Sequence, residues 1–287
     1  MPAALGVIML GLGLSLTIAD FTRVLVYPRA VFVGLFCQML VLPVVCFFIV
    51  KAFGLAPALA VGMILLAASP GGVSANLYSH LSHGDVALNI TLTAVNSVLT
   101  LLSIPFFVNL ALVHFMGEGK VLPLQFSKMI QVFVIVLGPV AIGMVIRRYA
   151  PGFANTMEKP VKIMSALLLV LVIVILLYGE RSNVGGYIKE VGLAALCFNV
   201  ISMLIGYFLP TLVNISKRQR IAIGMEIGIH NGTLAIAIAT SPFLLNNTAM
   251  AVPAAVYGIL MFFTAAAFGY IVNRKHAPET TASAATN

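Results

Sequence analysis

The sequence predicts an all-α membrane protein: nine transmembrane helices in an inverted repeat with two crossed, discontinuous helices. Three observations carry this reading: the composition, a succession of nine apolar runs, and polar interruptions in the middle of two of them. Of 287 residues, 61% are hydrophobic and 8% charged, and the mean hydropathy is +1.10. Soluble domains carry about a quarter charged residues. At about 20 apolar residues per crossing, a chain of this length has no room for a separate soluble domain. A single polytopic domain is expected over residues 1–275, followed by a polar, Ala/Thr-rich tail, 276–287, that is expected to be disordered.

Taken in order, segment A runs about Pro2–Ile18 and has no Lys or Arg ahead of it. It lacks the basic region of a secretory signal and reads as a retained span. B covers Ala30–Val50. C, Ala56–Leu81, is interrupted by Ser69-Pro70-Gly71-Gly72, where Pro removes a backbone donor and two Gly free the backbone. D is Val86–His114, E is Phe126–Ile146, F is Val161–Tyr178 and G is Val191–Leu212. H, Ile221–Leu245, holds Glu226-Ile227-Gly228-Ile229-His230-Asn231-Gly232-Thr233, which sets a carboxylate, an imidazole, an amide and two glycines in mid-span, and I is Ala251–Val272. Taken alone, either break reads as a kinked helix satisfied by its neighbours. Cys37, Cys46 and Cys197 all lie within apolar runs, so they read as small buried hydrophobes and no disulfide framework is implied.

The net charge of +8 comes from cations scattered in short connections, a pattern that sets topology and does not make a nucleic-acid face. Eleven Lys and Arg fall in the A–B, C–D, E–F and G–H connections and at the C-terminus, against four in the others, with Lys128 set aside just inside E. The positive-inside rule then places the C-terminus in the cytoplasm and the N-terminus outside. On that topology C and H run in opposite directions, and each is followed by one more span before its half of the chain ends. Paired breaks of opposite direction are the mark of an inverted-repeat transporter, with a site where they cross near the midplane. E to I holds five spans and A to D four, so the first unit is one helix short: either nine spans are natural or the chain starts inside a longer one.

Glu226 is the one acid in the middle of a span. Such a group costs about 2.5–3.5 kcal/mol to insert and marks an ion or substrate pathway. As a mere structural ion pair it would need a cation, and no Lys or Arg occupies a span centre. Gln38 lies in B, Ser74 and Asn76 follow the break in C, and Asn89, Thr93 and Asn96 share one face of D at i, i+4, i+7, with Thr91 and Ser97 nearby. Taken singly, each Thr or Ser is better read as bonding back to its own helix. Together these oxygens, the carbonyls of Ile227 and Ile229, and one carboxylate suit a hard monovalent cation such as sodium. The half-helices that begin at Val73-Ser74 and Gly232-Thr233 point positive dipole ends at the same crossing, where a carboxylate substrate fits, with Asn231 beside it.

The stretch Pro70-Gly71-Gly72-Val73-Ser74-Ala75-Asn76, Gln38 ahead of it, and Glu226-Ile227-Gly228-Ile229-His230-Asn231-Gly232 resemble the bile acid:sodium symporter family, in particular its bacterial members. The resemblance runs from A to I. It implies a core domain of B, C, D, G, H and I (about 30–114 and 191–272) and a panel domain of A, E and F (about 2–18 and 126–178), lacking the first of ten spans. It maps one sodium site to Asn76, Thr93 and Glu226, and a second to Gln38, Glu226, the carbonyls of Ile227 and Ile229, and His230. Ala75 and Asn89 stand where the family commonly has Ser, and His230 where it has Gln, so one or two sodium ions are expected. The implied function is sodium-coupled symport of an organic anion, a bile acid or a small carboxylate such as pantoate, by alternating access. The expected setting is a monomer among the lipids of a bacterial inner membrane, with no nucleic-acid partner. The alternative is a cation/proton antiporter or a proton-coupled carboxylate transporter using Glu226 and His230. An intramembrane enzyme is disfavoured, since Glu226 and His230 at i, i+4 lack a third strong metal ligand and no nucleophile motif such as G-x-S-x-G occurs.

Overall fold

The computed structural model describes residues 2–117, 126–179, 184–242 and 244–274. The expected tail, 276–287, lies outside the described residues. Those described are all-helical but for one isolated antiparallel bridge. Thirteen α-helices follow in order: α1 (Pro2–Ser15), α2 (Ile18–Thr22), α3 (Pro28–Phe36), α4 (Leu42–Ala52), α5 (Pro57–Ala68), α6 (Val73–Leu81), α7 (Val86–Met116), α8 (Phe126–Tyr149), α9 (Pro151–Gly179), α10 (Val184–Phe208), α11 (Lys217–Gly228), α12 (Gly232–Thr240) and α13 (Val252–Arg274). Every one of the segments A to I contains helix.

Four continuous stretches among the described residues are long and apolar enough to cross a bilayer: Pro28–Ala52, Val86–Met116, Gly185–Val213 and Ala249–Arg274. The fifth candidate is the bent pair Gly6–Ser15 and Ile18–Leu25, which turns by 73°. Segment A therefore ends at Ser15, three residues short of the expected limit. The turn is held by Asp20, which accepts from the Thr17 N–H (2.6 Å) and hydroxyl (2.7 Å) and pairs with Arg23. This local capping chemistry breaks the helix where hydropathy alone would continue it.

Within segment B, α3 passes into α4 through one π-helical turn, Cys37–Val41. Pro43 follows directly and has no N–H to offer the carbonyl four residues before it, so the helix widens ahead of the proline. Gln38 sits in that widened turn, fully buried.

The helices sort into two packing groups. α1 lies against α8 and α9, which also touch each other. The α1–α8 crossing is so close that a Cβ on Gly13 would fall 2.2 Å from the Val140 carbonyl oxygen, and one on Gly143 2.6 Å from that of Leu10. Small residues let helix backbones approach in this way where lipid supplies no hydrophobic drive between them. The other group is α3 to α7 with α10 to α13, in which α5 packs on α7, α10 on α11 and α13, and α11 on α6 and α7.

Candidate functional site

The interruptions in C and H meet. Between α5 and α6, residues 69–72 leave the helix; between α11 and α12, residues 229–231 do the same. The two extended strips run antiparallel. Gly71 bridges His230, the Gly72 N–H donates to the Ile229 carbonyl (2.6 Å), and the Asn231 N–H donates to that of Pro70 (2.8 Å). Each broken helix thereby satisfies backbone groups that the other leaves orphaned, as buried backbone requires.

Glu226 lies in the last turn of α11, four residues before His230, and is fully buried. Its Oε2 accepts from the Thr93 hydroxyl (2.6 Å) and its Oε1 from Asn96 Nδ2 (3.2 Å), both on α7. The carboxylate also packs on the first break: a Cβ on Gly71 would lie 2.3 Å from Glu226 Cδ. A side chain at that position would have to displace the carboxylate, which Thr93 and Asn96 hold. Gly71 thus lets the backbone touch the acid, beyond its role as helix breaker.

Three buried amides on the helices that meet at the crossing share one habit, in which the NH2 end is tied and the oxygen is left over. Gln38 Nε2 donates to the carbonyls of Ala67 (3.1 Å) and Ser69 (2.8 Å), Asn89 Nδ2 to that of Ala222 (2.7 Å), and Asn96 Nδ2 to Glu226. Gln38 Oε1, Asn89 Oδ1, Asn96 Oδ1 and Asn76 Oδ1 are buried without a hydrogen-bond partner. Buried acceptors without a donor cost free energy. Asn96 brings one such oxygen close to the Glu226 carboxylate, and unpartnered oxygens beside a carboxylate have a small hard cation as their natural complement.

His230 is pinned and nearly closed off. Its Nδ1 lies 3.2 Å from the Ser69 carbonyl oxygen. A carbonyl can only accept, so Nδ1 carries the proton and Nε2 presents a lone pair, which is buried and unpartnered. The ring stacks on Phe198 at 5.6 Å and meets Tyr257 at 5.4 Å.

The carbonyls and substrate-side groups are more engaged than the sequence suggests. Ile229 offers only a second lone pair, since its oxygen already accepts from Gly72. Ile227 is freer: the Asn231 N–H that would close the helix onto it goes to Pro70. Asn231 spends its Oδ1 as the N-cap of α12, accepting from the Leu234 N–H (3.0 Å), and the Gly232 N–H donates to the His230 carbonyl (3.0 Å). The free dipole end expected at Gly232 is therefore partly used inside the crossing. Val73 and Ser74, half-buried, open α6 behind Gly72 without a side-chain cap. Thr91 and Ser97 bond back to their own helix, while the Thr93 hydroxyl, in reach of the Asn89 carbonyl (3.1 Å) and of Glu226 (2.6 Å), gives its one proton to the closer carboxylate.

One set of residues escaped the sequence reading. Asn199 Nδ2 (2.7 Å) and the Tyr257 hydroxyl (2.8 Å) both donate to the Gly228 carbonyl, the last of α11, and Thr264 donates to Asn199 Oδ1. Asn199 carried a usable signal, being an amide in mid-span; a tyrosine in an apolar run carried none.

The profile described as Sodium Bile acid symporter family matches residues 2–187. The chain is 27% identical over 258 residues to a "Probable sodium/metabolite cotransporter BASS1, chloroplastic" of Arabidopsis thaliana, a match covering 89% of this chain and 62% of that protein. It is 27% identical over 256 residues to the "Uncharacterized sodium-dependent transporter YocS" of Bacillus subtilis (89% and 77% covered), and 29% identical over 215 residues to the human "P3 protein" (74% and 44%). The chain spans about three fifths of the length of the chloroplast relatives it matches.

Proposed function

The chain belongs to the sodium bile acid symporter family, and on that premise we propose that it is a sodium-coupled secondary transporter that carries a small organic anion across the membrane. The observation that carries the proposal is the crossing itself: a buried carboxylate accepts from Thr93 and Asn96 with no ion-pair partner among the described residues, and the amide oxygens of Gln38, Asn76, Asn89 and Asn96, on the elements that meet there, are buried without donors. A sodium ion at Asn76, Asn89, Thr93 and Glu226 would neutralise the one formal charge. A second at Gln38, Glu226, Ile227, Ile229 and His230 would draw on the remaining oxygens and the Nε2 lone pair. Family membership makes sodium the expected cargo ion, and the relatives' names extend the substrate class to metabolites.

In this reading the chain crosses the membrane nine times, N-terminus outside and C-terminus in the cytoplasm of a bacterial cell, as a monomer. The group of α1, α8 and α9 is the panel, and the group containing both breaks is the core. The anion binds beside Val73, Ser74, Asn231 and Gly232. Sodium binding removes the cost of the bare carboxylate and so favours the arrangement that also accepts the anion, which is how one flux drives the other as the core rocks against the panel. A carboxylate or a bile acid meets the electrostatic requirement, pantoate among the former.

The test is uptake of a panel of labelled carboxylates, including pantoate and a bile acid, by proteoliposomes under separate sodium and proton gradients. Accumulation driven by sodium alone supports the reading. Accumulation driven by protons alone favours proton coupling through Glu226 and His230, and the absence of any driven uptake removes the assignment.

A further inference from the structure

Away from the crossing, a cavity of about 240 Å³ opens where the connection from α2 to α3 meets the one from α10 to α11. Its walls are Val26–Ala30 on one side and Val213–Ile215 with Gln219 on the other. A water occupies about 30 Å³ of liquid, so the space holds a polar group of several heavy atoms. The lining contains one cation, Arg29, with the polar groups of Tyr27, Asn214 and Gln219, and no acid. The nearest acid along the chain, Asp20, is buried and already accepts from Thr17 and pairs with Arg23. Lys217, Arg218 and Arg220 occupy the start of α11 beside Gln219, and both connections belong to the side of the chain that holds eleven cations against four.

Exposed apolar residues line the cavity at Val26 and Val213 and adjoin these in the chain at Leu25 and Leu212. Leu25 and Val26 on one connection are 84% and 65% exposed, Leu212 on the other is 81% exposed, and Val213 beside it is also exposed. A soluble anion would use the Arg29 end and leave these apolar residues bare. A molecule with a phosphate at one end and hydrocarbon at the other covers both. Basic pockets at the positively charged ends of membrane helices take anionic headgroups for the same reason.

We propose that the cavity between residues 26–30 and 213–219 is a binding site for the headgroup of an anionic phospholipid. The phosphate sits against Arg29 and Gln219, and the acyl chains lie over Leu25, Val26, Leu212 and Val213. The occupant is a membrane lipid, so the proposal does not depend on which anion the protein transports, and it stands or falls separately from sodium coupling.

The experiment is thermal unfolding of the delipidated, full-length protein in detergent, followed with a thiol-reactive dye that reports the exposure of the buried Cys37 and Cys46. Three additives are compared: phosphatidylglycerol, phosphatidylcholine with the same acyl chains, and inorganic phosphate. Phosphatidylglycerol is expected to raise the midpoint by about 5 °C at saturation, and the other two by less than about a third of that. Arg29→Ala and, independently, Gln219→Glu are expected to cut the rise at least by half, whereas Lys51→Ala, at an exposed position in the last turn of α4 that does not line the cavity, leaves it intact. An equal rise with phosphatidylcholine means that headgroup charge is not recognised, and an equal rise with inorganic phosphate means a soluble-anion site; either result overturns the proposal. A full rise in both Arg29→Ala and Gln219→Glu places the lipid elsewhere and overturns it as well.

Discussion

Glu226 gathers almost every polar decision in the site, and its surroundings define what its loss should do. Thr93, Asn96 and Gly71 are arranged around the carboxylate, so Glu226→Gln keeps the shape and one acceptor oxygen while removing the charge that a cation needs. Sodium-activated uptake should fall by about 10- to 100-fold, the worth of one charged interaction of about 1.5–3 kcal/mol, while the thermal midpoint holds or rises because an expensive buried charge is gone. The measurement is the sodium activation curve beside the melting curve; unchanged sodium activation would dismiss the carboxylate as a ligand. His230 answers to a different substitution. Gln at this position can present a carbonyl oxygen where the imidazole presents only Nε2, and oxygen is the better donor for a hard cation. His230→Gln is expected to lower the half-saturating sodium concentration several-fold, and an identical curve would mean that His230 only wedges between Phe198 and Tyr257.

At the scale of elements, the crossing depends on two kinds of support, one internal to the breaks and one outside them. Internally, Gly71 has no room for a side chain, because the Glu226 carboxylate occupies that space. Gly71→Ala should push the strips apart, cost about 1–3 kcal/mol as overpacking does, and abolish uptake in protein that still reaches the membrane. Normal uptake in that variant would show that the close approach is dispensable. Externally, α10 and α13 hold the end of α11 through the two donors on Gly228. Tyr257→Phe removes one donor of the pair and should destabilise by about 1 kcal/mol, read as a lower midpoint together with weaker sodium activation. Loss of stability without any change in sodium activation would make the tyrosine a packing residue alone. These two supports were not equally legible in the sequence. The two breaks and the buried acid were readable because Pro, Gly and carboxylate are costly in an apolar helix and so stand out singly. The 73° turn after Ser15 and the π turn holding Gln38 were not. The first depends on a capping aspartate that hydropathy ignores, and the second on how Pro43 perturbs a helix whose composition is uniformly apolar. The occupied lone pairs at Ile229 and Asn231 are tertiary facts, set by which backbone the crossing brings opposite, and no spacing rule within one segment could reveal them.

For the whole molecule, coupling one flux to the other requires that the two breaks enter the membrane from opposite faces. The local geometry supplies the antiparallel strips, and the proposed orientation rests on the distribution of cations: with eleven Lys and Arg on one side and four on the other, the positive-inside rule predicts the connection carrying Lys51 outside and that carrying Arg218 in the cytoplasm. Lys51 ends α4 and Arg218 opens α11, and both are exposed, so each accepts a probe without disturbing packing. In a background with Cys37, Cys46 and Cys197 replaced by Ala, Lys51→Cys should react with a membrane-impermeant thiol reagent added to intact cells. Arg218→Cys should react only after the cells are opened. Reaction of both from the same side would leave C and H parallel in the membrane, would separate the crossing from any inverted repeat, and would remove the mechanical basis for presenting one site to each face in turn.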